Sequence, residues 1–141
     1  MFNPPLMLAL VAMVTVQLFK FFFAWIWFRR IDFTRLVGTG GMPSSHSASV
    51  TALTMAVGME AGWNSTLFGA TAFFSLVIMY DATGIRRAAG RQANVLNRML
   101  DELKDYHKLE TVRLKELLGH TPLEVILGAA YGVLVALLLH P

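Results

Sequence analysis

Residues 6–28 read LMLALVAMVTVQLFKFFFAWIWF, an unbroken apolar run whose only charge is Lys20. A helix rises 1.5 Å per residue, so about 20 such residues cross the hydrocarbon core of a bilayer. Asn3-Pro4-Pro5 opens the run and Arg29-Arg30 closes it. A cleavable leader has a basic segment before its apolar core; here the positive charges come after it. The run is therefore read as a membrane span.

The rest of the chain agrees. Of 141 residues, 55% are hydrophobic and 15% charged, against about 25% charged in soluble globular proteins. Mean hydropathy is +0.55. So apolar a chain can bury enough surface to offset its ordering entropy, which excludes disorder, and it has too few charges to clothe a soluble globule. Without cysteine it holds no disulfides. The net charge of +3 is read as attraction to an anionic leaflet and not to nucleic acid, since no base-reading module is present.

Three further apolar stretches follow, at 44–61, 63–82 and 122–139. The expectation is an all-α integral membrane bundle, one domain over 1–141, with about four transmembrane helices and a cytoplasmic amphipathic helix or helical hairpin near 84–118. The stretches at 44–61 and 63–82 are short or polar, which predicts that they sit inside the bundle or beside a water-filled cavity. With the N-terminus outside, all 12 Lys and Arg lie at or toward the inner side, and the outer turn at 60–65 carries only Glu60. Trp25 and Trp27 then anchor the inner interface and Trp63 the outer one.

In the polar stretch, Ile85, Ala89, Leu96, Met99, Leu103 and Tyr106 recur at helical spacing. The pattern slips near His107 and resumes at Leu109, Val112, Leu117 and Leu118. This segment packs on its own bundle or a partner's, or lies flat at the membrane surface. Gly58-x-x-x-Gly62 and Gly128-x-x-x-Gly132 permit close helix approach, within the chain or in a homo-oligomer.

The polar residues in or beside the spans gather at one end. Lys20 lies nine residues before Arg29, about 13 Å along the helix. A charge at the bilayer centre costs at least about 2.5–3.5 kcal/mol, so Lys20 either snorkels to the interface or points into the bundle toward an anion. Gly41-Met42-Pro43-Ser44-Ser45-His46-Ser47 leads into the second span, with Ser44 as N-cap; a helix N-terminus offers free amides and a positive dipole end to a phosphate. Gly119-His120-Thr121-Pro122-Leu123-Glu124 enters the last span the same way. Thr121 and Glu124 match a capping box, which leaves His120 unexplained. A carboxylate from Glu124 on one imidazole nitrogen would fix the tautomer and free the other as nucleophile or base. Asp81 with Arg86 and Arg87 closes the inner end of the third span, where the aspartate caps or pairs and the arginine forks suit phosphate; Arg35 is a further cation candidate. His107 and His140 are read as incidental. Two histidines at two helix N-termini among cations, with no cysteine or clustered carboxylates, suit phosphoryl transfer through a phosphohistidine without metal or cofactor.

The strings 41–47 and 119–132 (GHTPLEVILGAAYG) resemble the second and third signature motifs of the type 2 phosphatidic acid phosphatase superfamily, which includes vanadium haloperoxidases. Nearly the whole chain resembles that superfamily's small, divergent membrane branch, of which YDATGIRRAAG at 80–90 looks typical. The resemblance implies His120 as nucleophile, Glu124 as its orienting carboxylate and His46 as general acid. It implies Ser44 and Ser45 in the phosphate-binding turn, supported by Gly41, and Lys20 in the place of the first motif's lysine. Three positions depart from the pattern: no Arg-Pro follows Lys20, Ser45 replaces a glycine, and no arginine stands just before His120. Implied substrates are lipid phosphates, isoprenoid diphosphates or small phosphate esters; the orientation read from the basic residues places them on the cytoplasmic side. Two other functions compete: a catalytically inactive protein that binds or moves a phospholipid, and a membrane scaffold recruiting a partner through the helix near 92–115.

Overall fold

The computed structural model of the chain describes residues 3–29, 41–106, 114 and 119–140. Among them every regular element is helical: α1 Pro4–Phe28, α2 Ser45–Ala61, α3 Thr66–Thr83, α4 Ile85–Tyr106 and α5 Pro122–Leu139. Each start has a local cause. Asn3 accepts the Leu6 amide at 3.0 Å, and Pro4 and Pro5 fill first-turn positions that need no donor. Ser44, Ser65 and Thr121 cap α2, α3 and α5 in turn. Gly62, at φ 89°, ends α2 in a conformation that only glycine adopts without strain.

The bundle is built around α2, which is less apolar than the three helices packed on it. α2 packs against α1, α3 and α5, and Ala48, Ala52 and Ala56 have no exposed surface at all. Its small side chains let three neighbours approach closely, which in a bilayer supplies the packing that hydrophobicity cannot. Ala12 and Val16 of α1 and Val135 of α5 complete the core around Ala48 and Ala52. Hydroxyls then tie helices pairwise. Thr54 and Ser75 lie 2.7 Å apart, and the Ser75 hydroxyl donates to the Val50 carbonyl at 3.1 Å, joining α2 to α3. The Tyr131 hydroxyl donates to Thr15 Oγ1 at 2.9 Å, joining α5 to α1.

The outer helices turn their large side chains outward: Phe22 and Ile26, Phe73 and Phe74, Leu137 and Leu138 are all exposed on the isolated chain. Over water this would be a liability; in lipid it is the solvated face. By length and composition α1, α5 and the stretch from Thr66 that begins with α3 can cross a membrane. α2, at 17 residues, takes the interior place predicted for it. α3 does not: only Ser75 and Ala82 are buried, the Thr71 and Thr83 hydroxyls bond back to carbonyls of α3 itself and Ser75 bonds to α2, so it can stand at the periphery.

Past Gly84, α4 carries the amphipathic stretch and ends at Tyr106, just before the slip predicted near His107. The Asn97 side chain clamps the Leu114 backbone, donating to its carbonyl at 2.8 Å and accepting its amide at 2.9 Å. His107, Leu109, Val112, Leu117 and Leu118 lie outside the described residues.

Candidate functional site

The start of α5 does two jobs with one carboxylate. Glu124 reaches back so that its Oε2 accepts the Thr121 amide at 2.9 Å, while Thr121 Oγ1 accepts the Glu124 amide at 3.3 Å. The same Oε2 lies 3.1 Å from His120 Nδ1. The helix begins only at Pro122, so this contact runs across the cap and not along a helical turn. The cap and the oriented imidazole, which compete as explanations of the sequence, coexist. His120 is also held from behind: its amide donates to the Ala82 carbonyl at the end of α3, at 2.9 Å, and the residue is 5% exposed. With Nδ1 on the carboxylate, Nε2 is the ring nitrogen that Glu124 does not engage.

The start of α2 is docked onto this turn. The Ser44 amide donates to the Glu124 carbonyl at 2.9 Å. Ser44 Oγ accepts the Ser47 amide at 3.3 Å and lies 3.0 Å from the Ser47 hydroxyl, which donates to it. Ser44, Ser45 and Ser47 are buried, and His46 is half-buried as the second residue of the helix. Gly128 makes the docking possible. A Cβ there would collide with the Ser44 carbonyl, and one at Gly132 would collide with the Ala48 carbonyl. Two helix N-termini, each with a histidine in or next to its first turn, are thus fixed side by side.

Lys20 comes from α1. It is 7% exposed and lines a cavity of about 530 Å³ together with the Gly41–Pro43 turn that leads into Ser44. Gly41 adopts φ 76° in that turn. Lys20 is therefore buried within the bundle.

The remaining candidates are more scattered. Asp81 is half-buried next to Ala82, whose carbonyl holds His120. Arg87 is exposed on α4, and Arg86 is the second residue of that helix. Arg35 lies outside the described residues. His140 caps the far end of α5, 18 helical residues from the site. Sequence reasoning missed Ala82, whose contribution is a backbone carbonyl and so leaves no side-chain signal. It also took the Gly128/Gly132 spacing as generic, whereas those glycines bring the two histidine-bearing turns together.

The chain belongs to the Divergent PAP2 family, whose profile matches residues 1–135. It is 44% identical over 148 residues to "Uncharacterized membrane protein YuiD" of Bacillus subtilis (strain 168), an alignment covering 97% of this chain and 94% of that protein. No solved structure matches.

Proposed function

We propose that this divergent PAP2 family member is an integral membrane phosphatase that hydrolyses a lipid phosphate or isoprenoid (di)phosphate through a phosphohistidine. The observation that carries the reading is the buried His120 with Nδ1 on the Glu124 carboxylate, at a helix start locked to the N-terminus of α2. A structural histidine needs no such carboxylate, since Thr121 and Glu124 already complete the cap.

In this reading His120 Nε2 attacks phosphorus as the ester P–O bond breaks, and His46 donates its proton to the departing alkoxide. Glu124 holds the imidazolium that forms. Water then attacks phosphorus, His46 takes its proton, and the P–N bond breaks to release inorganic phosphate. The amides of the α2 first turn, with Ser44, Ser45 and Lys20, bind the phosphoryl oxygens, and Arg35, Arg86 or Arg87 adds positive charge. The distribution of basic residues turns this end of the bundle toward the cytoplasm, so the substrate is one presented at the inner leaflet.

The test is phosphate release by the purified protein against a panel of lipid and isoprenoid phosphates. Release should fall at least about 10³-fold in His120→Gln, as removal of a nucleophile demands. No release from any member of the panel by the folded protein would overturn the reading in favour of phospholipid binding. The rate should also be bell-shaped in pH, because the attacking group must be deprotonated while the group that protonates the leaving alkoxide is protonated. A flat profile between pH 5 and 8 would sink the two-histidine assignment.

A further inference from the structure

α4 has two faces with unlike surroundings. Gly90, Ala93 and Asn97 are buried, and Asn97 holds the Leu114 backbone there. A second stripe, formed by Ile85, Val95, Leu96, Met99 and Leu103, follows helical spacing, and each member is 48% exposed or more. Among the described helices α4 packs on α3 alone, so α1, α2 and α5 do not cover that stripe. Large apolar side chains strung along about 27 Å of helix would be a liability in water. Charge is divided just as unevenly. From Ile85 to Leu100 the charged residues are Arg86, Arg87, Arg91 and Arg98, and the first acid is Asp101. Arg91 stands four residues before Val95 and Arg98 three after it, so both border the stripe as helical neighbours.

We propose that α4 lies along the membrane surface, with its apolar stripe in the acyl boundary and its arginines on anionic lipid headgroups. Three observations favour that occupant. Arg86 and Arg87 end the apolar run that contains α3, so α4 begins at the surface of the bilayer. Gly84, between the two helices, has ψ −90° where a helix holds about −42°, so α4 does not prolong the axis of α3. The stripe and the basic run coincide over Ile85–Met99, the combination by which a helix sinks its apolar face into an anionic leaflet. A second copy of the chain fits less well. Paired in parallel through this stretch, two copies would set the same four arginines side by side, whereas headgroup phosphates neutralise them. Docking of this kind uses neither His46 nor His120, and it holds whether or not the protein is a phosphatase.

The chain has no cysteine, so a single introduced cysteine carries a nitroxide at one chosen place. Leu96→Cys and Met99→Cys report on the stripe, and Asn94→Cys, exposed on the opposite side of the helix, is the control. The labelled full chain is placed in nanodiscs of phosphatidylcholine, alone or mixed with phosphatidylglycerol. Relaxation of each label by oxygen, which partitions into acyl chains, is compared with relaxation by a water-soluble nickel chelate. In phosphatidylglycerol discs the oxygen-to-nickel ratio should be about tenfold higher at positions 96 and 99 than at 94. That difference should shrink about threefold or more in phosphatidylcholine discs, and equally in phosphatidylglycerol discs when Arg91→Gln and Arg98→Gln are combined. The change of lipid leaves the protein unaltered, so a folding defect in the double variant cannot mimic the result. An equal ratio at all three positions in phosphatidylglycerol discs would overturn the proposal, and so would a ratio indifferent to lipid charge and to both arginines. Labels at 96 and 99 shielded from both reagents, and coupled to the same label on a neighbouring chain, would give the stripe to a second copy instead.

Discussion

Two glycine pairs share one spacing and have unlike jobs. Gly128 and Gly132 lie in the middle of α5, where every missing Cβ is replaced by backbone of α2: the Ser44 carbonyl at one, the Ala48 carbonyl at the other. Gly58 and Gly62 lie at the opposite end of α2. There Gly58 is covered by the Trp63 indole, which meets Phe68 edge-on at 5.2 Å between centroids, and Gly62 has left the helix altogether. One pair fixes how two helices cross; the other ends a helix and seats an aromatic ring. The difference is in what a side chain would hit. A carbonyl within a helix cannot move alone, whereas an exposed indole can rotate away.

The sharpest way to break this comparison is Gly132→Ala or Gly128→Ala. Either forces α5 off α2, with overpacking of about 1–3 kcal/mol or more, and withdraws Glu124 from Ser44. Thermal unfolding in detergent should shift down by several degrees, and phosphate release should fall well beyond the loss of folded protein. Unchanged release would mean that the docking of the two helix starts is irrelevant to the site.

A smaller effect is expected at Thr121→Val, which removes the cap oxygen while keeping the shape. Loss of an N-cap costs about 1 kcal/mol. Because Glu124 serves cap and imidazole together, kcat should fall further than stability accounts for. An equal fall in both would reduce the box to a cap and separate it from the histidine.

The smallest effect is expected at Gly58→Ala. Trp63 is half-exposed and swings aside, so stability should change by less than about 0.5 kcal/mol and phosphate release per folded molecule should hold. A loss matching that of Gly132→Ala would show that both pairs act alike and would erase the distinction.

Much of the candidate site's geometry was legible because it is local. Ser44 before a helical run, and Thr121 three residues before Glu124, are N-cap signals that need no tertiary context, and both cap the helices predicted. α5 fills 122–139 as read, since Pro122 and the end of the apolar run bound it on both sides. α3 was harder. Its hydroxyls suggested an interior helix, but Thr71 and Thr83 satisfy them on their own helix carbonyls, a bond that no spacing rule separates from an interhelical one. Lys20 was ambiguous for a related reason: depth along a helix says how buried a charge is and nothing about which side it faces.

By itself the sequence determined the solvent, the helices and their caps, and it carries the residue types on which the proposed phosphoryl transfer rests. These follow from composition, periodicity and short-range hydrogen bonding, all of which act within a few residues. Only the tertiary structure decided that α2 is the axis, that Gly128 and Gly132 set its crossing with α5, that the Ala82 carbonyl steadies His120, and that Lys20 opens into a cavity between α1 and α5. Each of these joins residues tens of positions apart, and in a bilayer such pairings are chosen by how closely backbones can approach, a property of two surfaces together that neither segment carries alone.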